Sequence, residues 1–122
     1  MLSYDAFVPR LLEAVPQLRL PYQRLKREWR SGELPGTHIV LADAVVPFLA
    51  ESAAHGALTP IDLVLSFAEQ ALSQGDERVA EAIYQSLLEP MAETPVLWQY
   101  VQRHLGPRTR AFAKGLLRPT PP

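Results

Sequence analysis

Apolar residues recur along this chain at three- and four-residue spacing, and no sustained apolar/polar alternation meets a hairpin turn such as Asn-Gly or Asp-Gly. The pattern is helical throughout. Over residues 60–73, Ile61, Val64, Leu65, Phe67, Ala68, Ala71 and Leu72 fall on one side of a helical wheel, opposite Asp62, Ser66, Glu69, Gln70 and Ser73. Over 77–89, Val79, Ile83, Tyr84, Leu87 and Leu88 oppose Arg78, Glu81, Gln85 and Glu89, and Pro90 limits the extension. Two further helices are predicted, over about 95–105 with Val96, Leu97, Tyr100, Val101 and Leu105 inward, and over about 107–117 with Ala111, Phe112, Leu116 and Leu117 inward.

The first third is less regular. Ser3 is placed to cap a helix running to about Val15 with Phe7, Leu11 and Leu12 inward, and Pro9 should kink it or delay its start. A second helix is predicted from Pro21 to near Ser31-Gly32, with Tyr22, Leu25 and Trp29 on its packing side.

The helix boundaries are written in turn chemistry. Thr59-Pro60 and Thr94-Pro95 each set a capping hydroxyl before proline at the first helical position. Gln74-Gly75-Asp76 stops one helix and caps the next, which predicts an antiparallel hairpin, and Gly106-Pro107 repeats the stop and start. The expected fold is all-α: a compact bundle of six or seven short helices, in an order that suits stacked antiparallel helical hairpins. At 122 residues one domain is expected, over 1–117, followed by a flexible proline-rich tail over 118–122.

Residues 37–55, THIVLADAVVPFLAESAAH, predict a central helix capped by Thr37. Relative to Asp43, Pro47, Glu51 and His55 follow at about 40°, 80° and 120°, while Ile39, Leu41, Val45, Val46, Phe48 and Leu49 occupy the opposite arc. Asp43 therefore belongs to a narrow wet edge. Because proline has no N–H, Pro47 should kink the helix at the carbonyl of Asp43, leaving a carboxylate and a freed backbone oxygen as an acceptor patch. Asp43, Pro47 and Glu51 also interrupt the best apolar run, so no membrane span of roughly 18 residues is expected.

Charge changes the picture more than composition does. The formal net charge of −1 averages over a segregated chain: residues 1–30 hold six basic and three acidic side chains, 31–102 hold one and ten, and 103–122 hold five and none. Either the basic ends lie against the acidic centre, or the centre presents an acidic face to a basic partner. The N-terminal stretch lacks a basic region ahead of an apolar block, so no secretion signal is expected and a cytoplasmic protein is the default.

Candidate chemistry is sparse. There is no cysteine, hence no thiol catalysis or thiolate metal site. His38, His55 and His104 are scattered, and only Glu51 with His55 has the i,i+4 spacing of paired ligands, which favours a surface ion pair. No phosphate-binding glycine loop, G-x-S-x-G elbow or H-E-x-x-H occurs. The expectation is a non-enzyme without cofactor or metal. RLPYQRLKREWR, residues 19–30, interleaves five basic residues with Tyr22 and Trp29, a nucleic-acid-binding composition, although the aromatic residues share a packing side.

The order ELPGTHIVLADAVVPFLAE, LSFAEQALSQGDERVAEAIYQSLLEPM and WQYVQRHLGPRTRAF, over about residues 33–113, resembles a family of small bacterial all-helical proteins of the toxin-immunity kind. The resemblance implies a non-catalytic protein that binds a protein partner, such as a basic toxin domain, and occludes its site. The partner-binding candidates are then Asp43 and Glu51 on the central helix, Glu69 on the hairpin's first polar face, and Asp76, Glu77 and Glu81 at its turn and second helix. A nucleic-acid-binding or regulatory module using residues 19–30 is the alternative.

Overall fold

A computed structural model describes residues 1–30 and 32–119. Among them are seven helices and no strand: α1 Phe7–Ala14, α2 Arg19–Glu28, α3 Thr37–Ala54, α4 Thr59–Gln74, α5 over 77–92, α6 Pro95–Arg103 and α7 Pro107–Phe112. Short 3-10 turns at Pro16–Leu18 and Lys114–Leu116 lead into α2 and follow α7. The predicted all-α bundle is thus the observed one.

The two helices that carry an internal proline share one device. In α3 a π-helical turn occupies Leu41–Val45 with Pro47 just beyond it, and in α5 a π-helical turn occupies Tyr84–Leu88 with Pro90 just beyond it. At each, an N–H reaches back five residues instead of four: Val46 to the carbonyl of Leu41, and Glu89 to that of Tyr84. An α-helix would drive the proline ring into the carbonyl four residues earlier, and one extra residue in the turn moves that carbonyl aside. The expected kink at Asp43 is thereby replaced by a widened turn. Both helices also run past their prolines, α3 to Ala54 and α5 to Ala92. The two π turns pack against each other at the centre of the molecule.

Around this crossing, the second half of α3 meets α4 and α6, α1 lies on α4 and on the start of α3, α4 pairs with α5, and α7 lies on α4. Leu41, Val45, Leu49, Ile61, Ile83, Leu88, Met91 and Leu97 fill the core, with Phe7 edge-on to Phe67 at 5.3 Å. The amphipathic faces of α4 and α5 agree with the pattern read from the sequence. Val96 and Phe112, expected inward, are exposed, because α6 turns Leu97 and Trp98 to the core and α7 ends at Phe112.

Continuity makes α3 an 18-residue helix apolar enough, by length and composition, to cross a membrane, which corrects the expectation that its polar residues interrupt the run. Of that stretch 44% is buried within the protein. Asp43, Pro47, Glu51 and His55 form its exposed edge, as the wheel placed them.

Several caps differ in detail. Asp76 caps α5, its Oδ1 accepting from the Val79 N–H at 3.0 Å. Thr37 and Thr59 instead enter their helices as first residues without capping them, and the Thr94 hydroxyl donates back to the Pro90 carbonyl. Ser3 accepts from the Ala6 N–H in a turn that precedes α1, so Pro9 falls in the first helical turn. The second helix begins at Arg19 rather than Pro21 and ends at Glu28.

Gly75 has ordinary negative φ, and its role is steric: a Cβ there would lie 2.5 Å from Val79 Cγ1 and 2.9 Å from the Ala71 carbonyl oxygen. The chain's own start uses this turn, with the Leu2 N–H donating to the Gln74 carbonyl at 3.0 Å and the Leu2 side chain buried. At the other end, the proline-rich tail is anchored where it begins, because the Arg118 N–H donates to Gln102 Oε1 at 2.9 Å. Residues 120–122 of that tail, and Ser31 at the expected end of the second helix, lie outside the described residues.

Candidate functional site

A cleft of about 450 Å³ lies between α4 and the α6–α7 turn, lined by Asp62, Leu65, Ser66, Glu69, Gln70, His104 and Gly106. Its floor is one ridge of α4, since residues spaced three and four apart share a helix face. Its wall includes His104, just past the end of α6, whose ring stacks on that of Tyr100, four residues earlier, at 4.0 Å with their planes 19° apart.

Each end of the cleft holds a carboxylate. At one end the Tyr100 hydroxyl donates to Asp62 Oδ1 at 2.5 Å. That hydrogen bond, with burial and the charge of Asp62 adding to it, raises the Tyr100 pKa. His104 Nδ1 lies 2.8 Å from the Tyr100 carbonyl, which can only accept, so Nδ1 carries the proton and Nε2 of the neutral ring is an acceptor.

At the other end Glu69 is fully engaged within the chain. Its Oε1 accepts from the Thr109 N–H at 2.9 Å and the Thr109 hydroxyl at 2.8 Å, its Oε2 accepts from the Arg108 N–H at 3.0 Å, and the Arg108 guanidinium lies 3.6 Å away. The carboxylate caps the first turn of α7 across the fold, a task no residue next to α7 in sequence performs. Gly106 admits it, since a Cβ there would lie 2.5 Å from Oε1. Burial by itself would raise the Glu69 pKa, but the two Thr109 hydrogen bonds, the Arg108 N–H and the Arg108 charge together hold it below the usual carboxylate value. Glu69, expected on a free polar face, is therefore the internal cap of α7.

The remaining acidic candidates divide into two groups. Asp43 and Glu51 line a groove with Pro21, Arg24, Glu28 and Pro47, where α2 lies over α3. Asp76, Glu77 and Glu81 are exposed around the α4–α5 turn and do not line that groove. Glu51 and His55 form no side-chain pair: His55 Nδ1 bonds to the Glu51 backbone carbonyl at 2.9 Å. Among the described residues no three His, Asp or Glu side chains gather as a metal site.

A polar contact that sequence reasoning missed lies at the crossing of the π turns. His38 Nδ1 is 2.6 Å from the Ser86 hydroxyl, and Tyr4 lies between His38 and the Arg78 guanidinium, which sits 4.0 Å over its ring. Ser86 is buried, and 48 residues separate it from His38, so only the fold brings them together.

Charge segregation survives folding. Arg108 pairs with Glu69 at 3.6 Å, while Asp43, Glu51, Asp76, Glu77 and Glu81 join no base in an ion pair among the described residues. Arg110 donates to the Gln102 carbonyl and Arg118 to the Leu116 carbonyl, and Arg78 and Lys26 lie over tyrosine rings.

Fold and surface together define an all-helical domain with an acidic middle and a polar cleft. The chain belongs to the family described as a domain of unknown function, DUF7674, which matches residues 8–118. Neither among curated proteins nor among solved structures does the chain find a significant match.

Proposed function

We propose that this is a non-catalytic protein-binding module of the cytoplasm that docks on a basic protein partner and covers its working surface, as an immunity protein covers its toxin. One observation carries the reading: Asp43, Glu51, Asp76, Glu77 and Glu81 are exposed, and none of these five forms an ion pair with a base among the described residues. Such a surface steers a basic partner and can occupy a site built for nucleic acid. Asp76, Glu77 and Glu81 are the leading contacts, since they cluster at an exposed turn, with Asp43 and Glu51 beside α2 as a second group.

The test is association with the product of the neighbouring gene, measured against salt. Reversing Asp76, Glu77 and Glu81 to lysine should slow association by about tenfold or more and flatten its salt dependence. Unchanged rates and an unchanged salt slope overturn the acidic-face reading.

A second reading has its own support. Helix α2 contributes no fully buried side chain and exposes Arg19, Arg24, Lys26 and Arg27, none of them in an ion pair among the described residues. A nucleic-acid or regulatory surface there predicts duplex or single-strand binding at low salt that weakens steeply as salt rises. Absence of binding at low salt removes this alternative.

A further inference from the structure

We propose that the cleft between α4 and the α6–α7 turn is a receptor for an arginine side chain of the protein partner, with Asp62 as its ionic anchor. The inference rests on the reading that the partner is a basic protein, and it places a contact the sequence did not single out.

The chemistry of the cleft selects the ligand. Asp62 is exposed and held from one side only, because Tyr100 bonds to Oδ1 and no bond among the described residues engages Oδ2. The hydrogen bond orients the carboxylate before a ligand arrives, which reduces the ordering cost of binding. His104, with Nδ1 tied to the Tyr100 carbonyl, contributes Nε2 of the neutral ring as an acceptor and lines the cleft with a flat ring backed by Tyr100. Ser66 and Gln70 add exposed oxygens along the same ridge. Free acceptors, one net negative charge and a planar wall match a guanidinium, which donates in a plane, stacks on rings and is weakly hydrated.

An anion is a poor fit. Asp62 would repel it, and the donors at the α7 end are consumed by Glu69. The Arg108 guanidinium lies against that same carboxylate, so the chain fills one acidic end of the cleft itself and leaves the other open.

The experiment titrates the full folded chain with N-acetyl-arginine amide while backbone and side-chain chemical shifts are followed, with N-acetyl-citrulline amide as the uncharged isostere. Saturable shifts at Asp62, Ser66, Gln70 and His104 with the arginine probe, absent with citrulline, are expected. Asp62→Asn should weaken the probe by about tenfold, as loss of a charge-assisted partner does. Ser66→Arg, which sets a tethered cation in the cleft, should abolish binding while leaving the far-ultraviolet spectrum unchanged. No saturable shift, equal binding of citrulline, or full affinity in Asp62→Asn overturns the inference. Probe binding is independent of Asp76, Glu77 and Glu81, so the two readings separate. If the partner associates through that turn while the probe fails, only the arginine receptor falls. If the probe binds but charge reversal at the turn leaves association unchanged, only the acidic-face reading falls.

Discussion

Glu69 and Thr109, forty residues apart, meet through two hydrogen bonds to one oxygen: Oε1 of Glu69 accepts the Thr109 N–H at 2.9 Å and its hydroxyl at 2.8 Å. Thr109 is wholly buried, so the contact both satisfies a buried hydroxyl and starts the last helix. Glu69→Ala should lower stability by about 1–2 kcal/mol, the usual cost of a lost cap, read from urea unfolding. The C-terminal segment should lose hydrogen-exchange protection first.

The same carboxylate sets a pH dependence. Its folded pKa lies below the ordinary 4.5, so the native state binds fewer protons than the unfolded chain and the stabilisation is complete above that value. Stability should fall as pH drops below about 4.5 and through the folded value, and Glu69→Gln should remove that part of the acid slope. An identical slope in wild type and variant would assign acid sensitivity to other groups.

Gly75 and Gly115 give opposite expectations. At Gly75 the added Cβ would collide with the buried Val79 and a backbone carbonyl, and alanine should cost about 1–3 kcal/mol by overpacking. Around Gly115 nothing lies within 4 Å of the added carbon. Alanine there should leave the urea midpoint within about 0.5 kcal/mol of wild type.

The π turn of α3 predicts an unusual pair of variants. Deleting Asp43 removes the extra residue and restores α-helical spacing at a position where Pro47 obstructs it, which should cost about 3 kcal/mol. Combining the deletion with Pro47→Ala removes the obstruction and should recover most of the thermal midpoint. If the single deletion is as stable as wild type, the proline does not require the turn.

The His38–Ser86 bond offers a fifth check. Ser86→Ala leaves the His38 nitrogen without its 2.6 Å partner at the crossing of the two helices, and a loss of about 1–2 kcal/mol is expected in thermal or urea unfolding. Ser73→Ala, where the hydroxyl bonds to the Gln70 carbonyl at an exposed site, should change little.

Periodicity alone located α4, α5 and the wet edge of α3, because a helix that buries one face must write that face every three to four residues. Local chemistry also located Asp76, since a cap satisfies donors within its own next turn. The limits of local reading show at the prolines. Pro47 and Pro90 signal a fault in the α-helix, but whether a helix kinks, stops or widens depends on the contacts that hold its two halves, and here the crossing of the two π turns holds both.

Glu69 marks the same boundary. From sequence it is a polar-face acid four places before Ser73, indistinguishable from Asp62 or Gln70 on that ridge. Only the approach of α7, with Gly106 leaving room and Thr109 turned inward, converts it into a cap, while Asp62 is left facing the cleft. The all-helical fold, the helix faces and the charge segregation follow from the chain's order, which short-range sterics and burial read directly. That Glu69 is consumed inside while Asp62 faces the cleft was decided by contacts across about forty residues, and those depend on how the helices pack.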